Sequence, residues 1–153
     1  MINPAPPLRI FLAGIMQGSH LGKLLHHQGY REQLKTLLIE HLPGATVYDP
    51  LADHQRSVNY DDETGRQVFF EHNRMCKEET DVLVAFVPEA SMGTAVEMWE
   101  AYQANRCVLT ISPLAHNWVI RFLSHAVYPD IETFIENLTE GQVARKIDEV
   151  LRQ

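Results

Sequence analysis

Basic residues are the first thing this sequence is short of, with 13 Lys and Arg against 20 Asp and Glu and a formal net charge of −7. A surface of that sign argues against nonspecific binding to DNA, RNA or an anionic membrane. A small anionic ligand stays open, because a helix N-terminus binds phosphate locally whatever the global charge. Cysteine is scarce as well. Cys76 and Cys107 are the two cysteines, in no metal-like spacing and inside apolar or amphipathic segments. They read as buried thiols of a reducing compartment rather than a disulfide. No run approaches the ~20 apolar residues a membrane helix needs. The opening MINPAPPLRIFLAG is interrupted by prolines and has no long apolar region, so it does not read as a signal peptide. The expectation is a soluble, cytoplasmic protein.

Metal and cofactor frameworks are missing too. The eight histidines sit outside any HExxH or CxxC frame. His26 and His27 are adjacent and cannot share one helical face, and His54, His72 and His116 fall on separate elements. GIMQGS (14–19) leaves its strand through two glycines, as phosphate- and sugar-binding loops do, but lacks the GxGxxG spacing and a Walker lysine. No metal and no cofactor is expected.

What is present is an ordinary globular composition, 45% hydrophobic and 22% charged over 153 residues, which suits one domain spanning 1–153. Continuously apolar runs alternate with helical periodicity. LRIFLAG (8–14) predicts a buried strand. YREQLKTLLIEHL (30–42) has apolar positions at Tyr30, Leu34, Leu37, Leu38 and Leu42, one helical face, and Pro43-Gly44 stops it. ATVYDP (45–50) is a second strand, followed by a long aperiodic loop over 51–64, a length that is often functional. GRQVFFEHNRMCKEE (65–79) is a helix, TDVLVAFVP a strand, SMGTAVEMWEAYQANR (91–106) a helix, and CVLTISP a strand. HNWVIRFLSH is a short helix, Val127 and Tyr128 mark a fifth strand, and a polar helical tail runs from Asp130 to Gln153. Apolar strands separated by helices predict an α/β fold, a parallel sheet of about five strands covered on both faces. Ligands of such sheets sit at the carboxyl ends of the strands, where strand order reverses.

The stretch DVLVAFVPEASMGTAVEMWEAY (81–102) reaches that rim. Ser91 can cap the helix and Gly93 lets a ligand approach its free amides. The plain alternative is a simple cap with a small glycine. Glu97 stands among Ala95, Val96, Met98 and Trp99, where an unpaired carboxylate is costly to bury. It is either a hydrogen-bonded structural glutamate or a reactive one. Asp53-His54 and Asp61-Asp62 read as solvated loop charges, and HNWVIRFLSH as an amphipathic helix with Trp118 and Phe122 packed inside.

Taken together, the FLAGIMQGS loop, the DVLVAF strand, SMGTAVE and the asparagine-led helix resemble the nucleoside 2-deoxyribosyltransferase superfamily, which includes the 2′-deoxynucleoside 5′-monophosphate N-glycosidases. The resemblance spans roughly residues 8 to 125, and its most specific part is Gly93-Thr94-Ala95-Val96-Glu97. It implies a flavodoxin-like three-layer sandwich and cleavage of the bond between a base and C1′ of a sugar. Glu97 matches the nucleophile that forms a covalent glycosyl ester, which a second base or water resolves. Ser91 matches the monophosphate hydrolases, with Ser91 and the Gly93 amide as phosphate donors. Gly14 in the first loop and Asp49 at the end of the second strand complete the implied substrate contacts. Asn117 resembles an asparagine that reaches into a neighbouring subunit's site, which implies a homodimer or higher homo-oligomer.

Three residues depart from the pattern. Asn73 stands where an aspartate usually helps protonate the departing base, and an amide cannot supply a proton at neutral pH. Phe11 replaces a tyrosine beside the nucleophile, and Gln17 replaces an arginine near the phosphate. Asp49, His54 and His72 are the candidates for the missing acid. The expected function is N-glycosidic bond cleavage or transfer; the alternatives are a catalytically impaired nucleotide-binding sensor or regulatory protein and a structural α/β domain.

Overall fold

Side-chain alternation along each strand decides how this chain folds into layers. In the computed structural model, which describes residues 6–16 and 27–153, Ile10 and Leu12 of the first strand point to one core cluster, while Phe11 and Ala13 point to another. Val82 and Val84 against Leu83 and Ala85 do the same in the third. A strand buried on both faces has no polar side to show, which is why these runs read as continuously apolar.

The elements are β1 (Arg9–Gly14), α1 (Gly29–His41), β2 (Thr46–Tyr48), α2 (Pro50–Asp53), a 3-10 turn (Ser57–Asn59), α3 (Asp62–Glu78), β3 (Val82–Phe86), α4 (Met92–Gln103), β4 (Cys107–Ile111), α5 (Trp118–Leu123), β5 (Ala126–Tyr128), α6 (Ile131–Thr139) and α7 (Gln142–Leu151). The sheet runs β2-β1-β3-β4-β5 with every neighbouring pair parallel. This is the flavodoxin-like order, with its switch point between β1 and β3. Leu34 and Leu38 of α1 join Phe134 and Leu138 of α6 and Val143 and Ile147 of α7 over one face. Cys76 of α3, Met98 and Ala101 of α4, and Ile120 of α5 cover the other.

Several boundaries move for local reasons. The loop expected over 51–64 holds most of α2, which begins at Pro50, and the 3-10 turn, and α3 starts at Asp62 instead of Gly65. Asp61 caps it by accepting from the Thr64 amide at 2.7 Å, and Asp62 and Glu63 suit the positive end of the helix. The tail from Asp130 is two helices, broken at Gly141, whose φ of 79° favours glycine. Its buried Phe134, Leu138, Val143 and Ile147 make it part of the core rather than a polar appendage.

One packing expectation is overturned. Trp118 and Phe122 of α5 are exposed, and Ile120 between them is buried. Residues two apart on a helix lie about 200° from one another, so seating Ile120 on the sheet turns both aromatics outward. Cys76 and Cys107 are free, buried thiols in separate core clusters, as the sequence leads one to expect. No helix among the described residues is long and apolar enough to cross a membrane.

Candidate active site

At the carboxyl ends of β1 and β3 the chain must leave the sheet, and it does so through tightly held backbone. The Ile15 amide donates to the Phe86 carbonyl at 3.0 Å, tying the two strand ends together. Gly14 has to be small: a Cβ there would run into the hydroxyl of Tyr30, which donates to the Ile15 carbonyl at 3.2 Å.

Arg31, in the first turn of α1, is 2% exposed. Its guanidinium donates to the carbonyls of Leu12 (3.1 Å) and Gly14 (3.0 Å), to Asp49 Oδ1 (3.0 Å) and, through Nε, to Gln28 Oε1 (2.7 Å). Asp49 is buried as well and uses the same oxygen to cap α2 at the Leu51 amide. The pair fixes the ends of β1 and β2 relative to α1.

Above these strand ends lies a cavity of about 370 Å³. Its lining includes Gly14 at the end of β1, Arg31 of α1, Pro50 of α2, His54 and Tyr60 of the loop beyond it, Phe69 and His72 of α3, and Ser91, Gly93, Thr94 and Glu97 at the start of α4. Ser91 caps α4, its Oγ accepting from the Thr94 amide at 3.4 Å and sharing a hydrogen bond with Thr94 Oγ1 at 2.8 Å. A Cβ at Gly93 would meet nothing within 4 Å, so packing does not demand the glycine; it keeps the start of α4 open. The first turn of α4 carries no acidic residue, so its free amides are available to an anion.

Glu97 follows one turn into α4. It is half-buried, makes no hydrogen bond or ion pair among the described residues, and is the sole carboxyl among the described residues lining the cavity. Burial pushes its pKa up to about 7, with the Arg31 charge pulling the other way. A carboxylate so placed is poorly solvated and close to its ionisation point at neutral pH.

The histidines divide by environment. His72 is buried with Nε2 3.2 Å from the Tyr48 hydroxyl, and burial, aided by the nearby His54, lowers its pKa to about 4, so it is neutral at pH 7. His54 stands with its ring 5.2 Å from that of His72 and its Nδ1 2.9 Å from the Tyr60 hydroxyl. Among the described residues no cluster of His, Cys, Asp or Glu is placed to hold a metal ion.

The structure thus gathers Gly14, Ser91, Gly93 and Glu97 around one cavity. Asp49 reaches it indirectly, through Arg31. Phe11 is in the core, its ring 5.5 Å from Tyr48 and 6.1 Å from His72, and does not line the cavity. Asn73 is buried beside the cavity wall: its Nδ2 donates to the Phe69 carbonyl at 2.8 Å and its Oδ1 has no partner. Asn117 is exposed, caps α5 by accepting from the Val119 and Ile120 amides, and lies away from the cavity lining. Gln17 lies outside the described residues. Sequence reasoning missed Arg31. The available signal was its place three and seven residues before Leu34 and Leu38, a charge on a buried helical face.

No family model matches the chain, and no curated protein matches it in sequence. Among solved structures it is similar to a 2-deoxyribosyltransferase from the psychrotolerant bacterium Bacillus psychrosaccharolyticus, with a TM-score of 0.59 and 21% identity over 80% of this chain and 86% of that one. A CMP N-glycosidase of Clostridium botulinum gives a TM-score of 0.49 at 21% identity, over 86% of this chain and 98% of that one. The Vibrio vulnificus NanR protein, complexed with ManNAc-6P, gives 0.52 at 12% identity over 96% and 50%. At these identities the likeness is one of fold. The protein has the flavodoxin-like α/β architecture of the 2-deoxyribosyltransferase, and this is the fold the sequence resemblance leads one to expect.

Proposed function

We propose that this chain cleaves the N-glycosidic bond of a nucleoside or nucleoside 5′-monophosphate, with Glu97 as nucleophile. The observation that carries the reading is the Glu97 carboxylate, unpaired and half-buried on the wall of a cavity large enough for a nucleoside. A structural glutamate in that position would have a partner. A Glu97 oxygen attacks C1′, the bond from C1′ to the base nitrogen breaks, and its electron pair leaves with the base. The resulting glycosyl ester is opened at C1′ by a second base or by water, which restores the carboxylate. Arg31 favours the ionised form of Glu97, the form that attacks. The capped start of α4, with Ser91 and the Gly93 amide, takes the 5′-phosphate when one is present.

The proton that the departing base needs has one remaining source among the candidates. Asp49 is engaged by Arg31, His72 is held neutral, and Asn73 has no proton to give. His54, on the cavity wall with Tyr60 at its Nδ1, is assigned that role. The resemblance to the superfamily further supports an assembly of two or more copies, with Asn117 of one copy serving the site of another.

A second reading, a nucleotide-binding sensor or regulatory protein without turnover, is favoured by the want of a second carboxyl on the described cavity wall. Incubation with ribo- and deoxyribonucleosides and their 5′-monophosphates, with and without a second free base, separates the two. Base release or exchange that is lost in Glu97→Gln is expected. Thermal stabilisation by nucleotides without base release would instead assign the sensor role.

A further inference from the structure

Arg31 keeps one hydrogen in reserve. A guanidinium carries five N–H groups. Nε gives its hydrogen to Gln28 Oε1, Nη1 gives its two to the Leu12 carbonyl and Asp49 Oδ1, and Nη2 gives one to the Gly14 carbonyl. Among the described residues nothing takes the second Nη2 hydrogen. The side chain is buried, yet it belongs to the cavity lining. A buried charged donor left without a partner is costly, and the cavity is where a partner can enter.

Glu97 has the complementary need. It lines the same cavity and accepts from no described donor. The two side chains are not an ion pair, since Arg31 pairs with Asp49. They are nonetheless close enough for the Arg31 charge to lower the Glu97 pKa, and the Tyr30 phenol feels both charges. A free N–H and a free carboxylate that do not touch are both satisfied by a hydroxyl, which accepts on its oxygen and donates its hydrogen.

The attack proposed for Glu97 says which hydroxyl this is. In a β-nucleoside the base stands on one face of the sugar, so a carboxylate that displaces it reaches C1′ from the opposite face. Ribose has its 2′- and 3′-hydroxyls on that opposite face, and the 2′-hydroxyl is on the carbon next to C1′. In 2-deoxyribose that position carries only hydrogen.

We infer that the site is built for ribose: the 2′-hydroxyl accepts from Arg31 Nη2 and donates to the Glu97 oxygen that does not attack. Arg31 is then a specificity-determining residue as well as the tie between strand ends. A 2′-deoxynucleoside would leave both the Nη2 hydrogen and the carboxylate unpaired, and sites built to bond a hydroxyl discriminate strongly against its absence. Hydrogen bonds at this hydroxyl strengthen in the transition state of glycosyl transfer, so the preference should be larger in kcat/KM than in binding. The inference rests on Glu97 as nucleophile for the orientation of the sugar.

Carbon-linked nucleosides, whose base cannot leave, test it without turnover. Pseudouridine and 9-deazainosine, with their 2′-deoxy and 3′-deoxy forms, would be titrated into the wild type by calorimetry. The expected result is that loss of the 2′-hydroxyl weakens binding by about 10-fold or more, and loss of the 3′-hydroxyl by less. Arg31→Lys should bind the 2′-deoxy form as the wild type does and lose the advantage of the riboside. Asp49→Asn, which disturbs the same ion pair but leaves the guanidinium, should keep that advantage. Equal binding of riboside and 2′-deoxyriboside by the wild type overturns the inference, as does a larger loss for the 3′-deoxy form. No binding of any probe would overturn it together with the proposed reaction. A 2′-hydroxyl preference without base release from cleavable nucleosides would overturn the reaction alone.

Discussion

Arg31 and Asp49 form a buried ion pair, Nη1 to Oδ1 3.0 Å, that joins the first turn of α1 to the carboxyl end of β2. The same guanidinium holds the Leu12 and Gly14 carbonyls at the end of β1 and lines the cavity that Glu97 faces. Such a pair contributes little net stability over an apolar substitute, but breaking it leaves a buried charge without compensation. What it provides is a rigid positive charge beneath the site.

Arg31→Met is therefore predicted to cost about 3–5 kcal/mol in urea unfolding, because Asp49 is left buried and unpaired. Asp49→Asn should cost less, since an amide oxygen still accepts from Arg31 and from the Leu51 amide.

Removing Arg31 should also move a titration. Its charge lowers the Glu97 pKa against the upward push of burial, so the acid limb of kcat/KM, expected near pH 7 in the wild type if Glu97 is the nucleophile, should shift to higher pH in Arg31→Met. Arg31→Lys should restore part of the shift, because a cation remains. An unchanged limb in Arg31→Met would mean that another group controls it.

Stability should depend on pH with a sign set by Glu97. Its folded pKa of about 7 lies above the ordinary 4.5, so the folded state keeps a proton that the unfolded chain has released. Stability is then lost as pH rises from 4.5 through 7, and the full cost applies above 7. Glu97→Gln removes that cost and should be more stable than the wild type at about pH 8, by on the order of 1–3 kcal/mol, with no advantage at about pH 4. His72 acts in the opposite direction. Its folded pKa of about 4 lies below the ordinary 6.5, so its contribution falls as pH drops from 6.5 to 4. The two slopes offset one another in the wild type, and Glu97→Gln should expose the His72 slope in chemical-denaturation curves.

The glycines at the rim should behave differently from each other. Gly14→Ala meets the Tyr30 hydroxyl and should cost about 1–3 kcal/mol. Gly93→Ala has open space and should leave stability unchanged or raise it by up to about 1 kcal/mol. If the proposed phosphate site is right, it should nevertheless weaken binding of 5′-monophosphates, measured by calorimetry, and leave nucleosides less affected, because the added methyl would narrow the open start of α4.

Local signals carried much of this architecture. Unbroken apolar runs marked β1, β3 and β4 because strands covered on both faces have no polar side, and Ser91 marked the start of α4 because capping is a short-range event. Glu97 was visible as a carboxylate in apolar company. Arg31 was not, because apolar periodicity marks a helical face only through its apolar members, and a buried charge among them gives no such signal. The tail looked polar because α6 and α7 each bury few residues, among them Phe134, Leu138, Val143 and Ile147. The rotation of α5 depends on which residue seats on the sheet, a tertiary choice that Ile120 wins over Trp118 and Phe122. Likewise, nothing local brings His54 from the 51–64 loop to within a ring's reach of His72 on α3.

The most direct test of the central claim is base release, followed by chromatography, for the wild type and Glu97→Gln over the nucleoside and 5′-monophosphate panel, with the wild type also analysed by mass spectrometry after a brief incubation. Free base from at least one substrate, none from Glu97→Gln, and a glycosyl adduct on the peptide that contains Glu97 are the expected results. Nucleotide binding without base release, or release that Glu97→Gln leaves intact, would contradict it.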